Sequence, residues 1–236
     1  MIEKRVRSVV EAVSGIADGD TILVSGFGEA GSPTELLHGV IDLGARDLTI
    51  VSNNAGNGHV GIAALIEAGR VRRIVCSFPR SSDAGVFVDA YRRGAIELDV
   101  VPQGTLAERI RAAGAGIPAF FTPTSVGTPL GEGKEVREFN GRRYVMEHAL
   151  PGDVALVKAD RADRLGNLTY HRAARNFGPL MCTAARTTIV QVRECADAGD
   201  IDPEHVVTPG IFVDRVVAIA DAVHESVQVR SGARYI

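Results

Sequence analysis

The chain is predicted to be an α/β protein with an open, mainly parallel sheet whose strands are joined by crossover helices, on three observations. Apolar runs of strand length alternate with helix-period segments through the first half of the sequence. Gly44, Gly69 and Gly94 each stand just past a helical segment, where a left-handed cap is expected. Finally, Asp18-Gly19-Asp20 makes a turn into the apolar run Ile22-Leu23-Val24, which passes through Gly26, Gly28 and Gly31 to Ser32-Pro33. That order is the passage from a buried strand through a glycine-rich loop to a helix start, with Ser32 as N-cap and Pro33 at the first helical position.

The elements follow in turn. A helical segment over about residues 3–14 opens the chain, and Thr21 to Ser25 is the first strand. Helical period resumes over 33–43, 59–68, 83–93 and 105–113, interleaved with strands at 48–52, 71–76 and 97–101. Beyond residue 115 the pattern loosens: Pro118, Pro123 and Pro129 mark an irregular insertion reaching to about residue 150. Within it, Asn140-Gly141 between two alternating segments predicts a β-hairpin. A strand at Val154 to Val157, a turn over Asp163 to Asn167 and a short strand come next. A helical stretch near Pro179 to Ala185, strands at Thr188 to Val192 and Val213 to Ala220, and a short tail complete one domain over residues 1–236.

Composition excludes several classes of function. A net charge of −3 with interspersed charges provides no basic field for nucleic acid. Cys76, Cys182 and Cys195 are odd in number and lack C-x-x-C spacing, which argues against disulfides or zinc and for a reducing, cytoplasmic setting. The six histidines have no metal-ligand spacing, so no metal is expected. No run of about 18 apolar residues is present, so no membrane span is expected.

In parallel sheets ligands gather beyond the carboxyl ends of strands, so polar residues directly after strands are the candidates for chemistry. Gly26, Gly28 and Gly31 let backbone amides approach a ligand. Asn53 and Asn54 offer uncharged donors and acceptors suited to a carbonyl or carboxylate. Gln103 opens a helix after the strand ending at Val101. Arg80, in Cys76-Ser77-Phe78-Pro79-Arg80, could hold a carboxylate through its guanidinium. Cys76 itself ends an apolar strand and reads as an inert core thiol.

The first of these loops resembles the opening signature of the family I CoA-transferases: acidic-Gly, three apolar residues, Gly-Gly-Phe, Gly and Pro in fixed order. Ser25 replaces one of its glycines. The Ser52-Asn53-Asn54 and Pro102-Gln103-Gly104 loops, and Gly166 to Tyr170, Ala174 to Phe177 and Thr208 to Val213 farther on, extend the likeness over nearly the whole chain. The resemblance implies the alpha subunit of a hetero-oligomer. Its partner, the beta subunit, would carry the glutamate nucleophile, because the Ser-Glu-Asn-Gly type motif of that nucleophile does not occur here. The likeness implies Gln103 and Asn53 as the carbonyl-polarising pair, and Ser25, Gly26, Phe27, Gly28, Glu29, Ala30 and Gly31 as the loop that receives CoA. Asn54 and Arg80 are implied substrate contacts, and Arg175 and Asn176 are implied to order the substrate loops or the subunit boundary, with a packed salt bridge the plainer alternative. CoA and succinyl-CoA enter as substrates, with no tightly bound cofactor. Asn57-Gly58, Ser82-Asp83 and Gln191 lean the acceptor toward 3-oxoadipate, with acetoacetate the alternative. Two readings of other classes compete. A nicotinamide site is opposed by Phe27 and the proline-led continuation of the loop. A non-catalytic binding module would keep the fold without the chemistry.

Overall fold

The computed structural model describes residues 2–235. In chain order the strands are β1 Arg5–Val6, β2 Thr21–Val24, β3 Leu48–Asn54, β4 Val71–Phe78, β5 Glu97–Val100, β6 Ala119–Thr122, β7 Val136–Phe139, β8 Arg142–His148, β9 Gly152–Lys158, β10 Arg161–Asp163, β11 Leu168–Thr169, β12 Ala185–Val192, β13 Glu194–Ala196 and β14 Arg215–Ala218. The α-helices are α1 Val9–Val13, α2 Thr34–Leu43, α3 Gly61–Glu67, α4 Gly85–Arg92, α5 Gln103–Gly114, α6 Gly178–Ala184 and α7 Glu225–Arg230.

Eight strands form one parallel sheet in the order β1-β14-β12-β9-β2-β3-β4-β5. The alternation of side chains along each strand explains the continuous apolar runs. Ile22, Val24, Ile50 and Ile74 face a core shared with Leu36, Leu37, Leu65 and Phe87 of the helices on one side. Leu23, Val51 and Val75 face a second core with Leu106, Ile110 and Met181 of α5 and α6. Both faces are covered, so both must be apolar.

The winding reverses at β2. From there the chain proceeds outward through β3, β4 and β5, whereas β9, β12 and β14 extend from the other side of β2. The loop leaving β2 therefore sits at the switch point of the sheet, where a crevice opens beyond the carboxyl ends.

Four expectations are corrected. The opening segment is not one helix. Arg5 and Val6 pair in parallel with Val216 and Val217 on the edge strand β14, and α1 starts only at Val9. Ser8 interrupts the helix by taking the Glu11 amide on its hydroxyl at 3.1 Å, the geometry of a cap. The insertion is not irregular, because β6, β8 and β7 make an antiparallel sheet. Its first strand is hidden in the sequence between Pro118 and Pro123, while the Asn140-Gly141 hairpin forms with both residues at positive φ, 50° and 74°. The tail carries α7, and Glu225 on it is buried. At the start of α2 the cap shifts by one residue to Pro33, and no side chain caps the helix.

Candidate active site

The glycine loop is a tight turn held from three sides. Phe27 N–H donates to the Ala30 carbonyl at 3.0 Å and Ala30 N–H returns a bond to Phe27 at 3.2 Å, so Gly28 and Glu29 form the tip. Gly31 has φ +80°, and a Cβ there would lie 2.5 Å from the Ala174 carbonyl oxygen, so only glycine fits. Asn176 spans the base: its Oδ1 accepts from Gly26 N–H at 3.0 Å, and its Nδ2 donates to the Ala30 carbonyl at 2.9 Å. Ser25 closes the underside, donating through Oγ to the Gly31 carbonyl at 2.8 Å and accepting from Lys158 N–H at 3.1 Å.

Around the tip lies a cleft of about 530 Å³ over the carboxyl ends of β3, β4 and β5. Carboxamides dominate its polar lining. Asn53, which is 5 % exposed at the end of β3, donates through Nδ2 to Gln103 Oε1 at 3.4 Å. Because that contact engages the oxygen of Gln103, the glutamine's NH₂ group is left to donate elsewhere. Asn54 is engaged internally, accepting from Gly56 N–H at 2.8 Å and donating to the Gly28 carbonyl at 3.2 Å, which ties the second loop to the first. Glu29 accepts from Asn57 Nδ2 at 2.5 Å, and Asn57 Oδ1 in turn accepts from Asp83 N–H at 2.8 Å.

The structure sorts the residues singled out from the sequence. Gln103, Asn53, Asn54, Phe27, Gly28 and Glu29 converge on this cleft. Ser25 does not: it is 3 % exposed and both roles of its hydroxyl are used in holding the loop, so it supports the cradle instead of touching a ligand. Gly26 likewise lies in the base, beneath the cleft. Ala30 and Gly31 line a second cavity of about 650 Å³ on the opposite flank, over the ends of β9, β12 and β14, together with Lys158, Arg172 and Arg193. Arg80 is exposed, outside the residues lining the cleft, and makes no ion pair among the described residues. Asn176 orders the loop as the resemblance implies, whereas Arg175 is exposed. Gln191 lies outside the cleft, at the wall of the second cavity. It is buried, accepts from Leu36 N–H at 3.2 Å and donates to Glu35 at 2.6 Å, so it fixes the start of α2.

Two contributors are visible only in the structure. Ser77 lines the cleft with a buried hydroxyl that has no hydrogen-bond partner among the described residues, a group left for a ligand to satisfy. Asn57, read from the sequence only as part of the motif that leans the acceptor toward 3-oxoadipate, joins the loops through its bonds to Glu29 and Asp83. Cys76, near the end of β4, contributes nothing nucleophilic, since burial pushes its thiol up to about 12, far from thiolate formation at neutral pH. No cluster of potential metal ligands occurs among the described residues, and no described helix is long and apolar enough to cross a membrane.

A cleft that offers amide donors and a backbone turn, with its sole lining carboxylate among the described residues already bonded, is suited to binding and polarising a carbonyl. The Coenzyme A transferase family matches over residues 6–219. The chain is also 61 % identical over 227 residues to the A subunit of 3-oxoadipate CoA-transferase from Pseudomonas putida, covering 96 % of this chain and 98 % of that one. This chain belongs to the coenzyme A transferase family. A second CoA-transferase relative, the A subunit of the probable succinyl-CoA:3-ketoacid coenzyme A transferase from Bacillus subtilis (strain 168), is 45 % identical over 91 % of this chain and 89 % of its own. Among solved structures, the acyl-CoA transferase YdiF of E. coli O157:H7 in its thioester complex with CoA superposes with a TM-score of 0.82 at 25 % identity. That match covers 94 % of this CoA-transferase chain and 48 % of the YdiF chain, so this chain spans about half the length of that structure.

Proposed function

We propose that the chain is the alpha subunit of a hetero-oligomeric CoA-transferase that moves CoA from succinyl-CoA to 3-oxoadipate, with the attacking carboxylate supplied by a separate beta subunit. The observation that carries this reading is the Asn53–Gln103 pair. Asn53 engages the Gln103 oxygen, which leaves the glutamine amide as a donor at the mouth of the cleft. Such a donor, pre-set before the substrate arrives, stabilises the oxyanion of a tetrahedral intermediate without reorganising.

The chemistry proceeds by exchange of partners. A carboxylate oxygen on the beta chain attacks the succinyl-CoA carbonyl, the C–S bond breaks, and CoA thiolate leaves a mixed anhydride. The thiolate then attacks the enzyme-side carbonyl of the anhydride and succinate departs, which leaves CoA as a thioester on the beta chain. The same steps in reverse hand CoA to the acceptor acid. At each carbonyl attack Gln103 and Asn53 orient and polarise the carbonyl, while the loop tip Phe27 to Glu29 walls the site and the Ser77 hydroxyl is available to substrate oxygen. CoA is a substrate here and no resident cofactor is required.

Placing the nucleophile on a second chain is supported by Glu29, the one carboxylate among the residues lining the cleft, being bonded to Asn57. It is also supported by relatives that are each named as one lettered component of a larger enzyme, and by the YdiF chain being about twice as long. The preference for 3-oxoadipate follows the relative that is 61 % identical over the 3-ketoacid relative at 45 %. Arg80, without an ion pair among the described residues on the loop beside the cleft, is assigned to the distal carboxylate of that acceptor. The cytoplasm, suggested by the unpaired cysteines, is the setting of this reading. The test is to co-express the chain with its partner, purify the complex and assay succinyl-CoA against 3-oxoadipate and acetoacetate. Transfer to 3-oxoadipate with the higher kcat/KM supports the reading, and preference for acetoacetate transfers it to the 3-ketoacid class.

A further inference from the structure

We propose that Glu225 is a positioning residue for the glycine loop, its carboxyl group tying the loop's exit at Ser32 and Thr34 to a C-terminal strap laid across α2 and α3. Residues 225–235 lie beyond the part of the chain that matches the family, which ends at residue 219. Yet the strap reaches the exit of the glycine loop and the loop after β3. Glu225 is 6 % exposed and accepts from Thr34 Oγ1 at 3.2 Å, next to the Ser32 hydroxyl. Val229 packs on Gly58, where a Cβ would come within 3.3 Å of it. Arg234 pairs with Glu67 and bonds His59. Tyr235 stacks on His38 with ring centroids 3.7 Å apart and donates to Asp42 at 2.7 Å. His38 in turn accepts from Gly61 N–H at 3.0 Å, at the head of α3.

A buried carboxyl group is costly unless it is bonded, so one placed at a loop exit needs a compensating role there. Holding Thr34, the first residue of α2, fixes where the loop ends, much as Asn176 fixes its base. The surroundings also make the tie responsive to pH. Burial pushes Glu225 up to about 7, with Glu29 on the loop adding to the rise, while the Ser32 and Thr34 hydroxyls and Lys158 at the end of β9 oppose it. Gly61 of α3 faces the carboxyl without charge. His38 is pushed down to about 4 by burial and stays neutral through the same range.

The inference rests on the reading that this loop faces the acyl group, and its first test avoids catalysis. Hydrogen–deuterium exchange of the full chain, read as protection relative to the intrinsic rate at each pH on peptides covering residues 25–37 at about pH 6 and about pH 8, compares wild type with Glu225→Ala and Glu225→Gln. Glu225→Ala is expected to speed loop exchange about tenfold with β3 unchanged, while Glu225→Gln, which keeps an acceptor and cannot ionise, restores protection and abolishes the difference between the two pH values. In the complex, Glu225→Ala then lowers kcat about tenfold with KM within about twofold, and the Glu225→Gln profile loses the wild-type inflection near neutrality. Wild-type loop exchange in Glu225→Ala overturns the assignment, as does a Glu225→Gln chain that keeps the wild-type pH difference. If Glu225→Ala does not fold, Thr34→Val takes its place, and unchanged loop exchange there also overturns it. Loop exchange that responds as expected in a complex without CoA transfer would sink the functional reading alone.

Discussion

Replacing Gln103 with Glu separates the donor role of this side chain from its structural one. Gln103 is exposed at the head of α5, caps nothing, and receives one bond, the 3.4 Å contact from Asn53 Nδ2. Glutamate keeps an oxygen for Asn53, so the change in stability should stay below about 1 kcal/mol. It removes the amide donor and puts an anion where oxyanion charge develops. Loss of one such donor lowers kcat by roughly 100- to 1,000-fold, about 3 kcal/mol of barrier, and the added repulsion should put Gln103→Glu below Gln103→Ala. The assay is steady-state transfer from succinyl-CoA by the purified complex, with thermal unfolding run in parallel. A Gln103→Glu complex with wild-type kcat and wild-type melting refutes the oxyanion role.

Four further outcomes follow from the geometry. Asn176→Ala removes the bonds to Gly26 and Ala30 and should lower kcat about tenfold or more, with circular dichroism unchanged. Gly31→Ala must move a Cβ out of contact with the Ala174 carbonyl at 2.5 Å and hold φ at +80°, so denaturant unfolding should show a loss of more than about 2 kcal/mol. His38 has a folded pKa of about 4, below the unfolded value, so its neutral form is the one the fold accommodates. Its contribution is present above about pH 6.5 and lost as the pH falls toward 4, and His38→Gln should flatten that part of the Tm–pH curve. Finally, Cys76 and Cys182 are buried with raised pKa values, so a thiol reagent at about pH 8 should modify Cys195 first in the native chain and all three on denaturation.

The main sheet was legible because its strands are buried on both faces. Runs such as Ile22-Leu23-Val24 and Ile50-Val51 can satisfy two cores only in that setting, and the left-handed glycines marked where the helices stop. The site was legible from the order of elements: Asn53 ends the buried strand β3 and Gln103 follows the edge strand β5, so the topology brings them together at one end of the sheet without specific side-chain information. What could not be read depends on contacts between segments distant in sequence. Arg5 and Val6 become a strand only because β14 offers an edge far along the chain, with Val6 pairing with Val217. Glu225 gives no local sign that it will be buried under Thr34, 191 positions away. Ser25 stands in the sequence as the one departure from the glycine signature, and its hydroxyl closes the loop in a way glycine cannot.

The division of labour between two chains is tested most directly by finding which polypeptide holds CoA covalently. The complex is incubated with succinyl-CoA without acceptor, quenched with acid, and each chain is weighed by mass spectrometry. A CoA adduct is expected on a glutamate of the partner and none on this chain. An adduct on this chain, at Glu29 or at any other carboxylate of its own, would contradict that division.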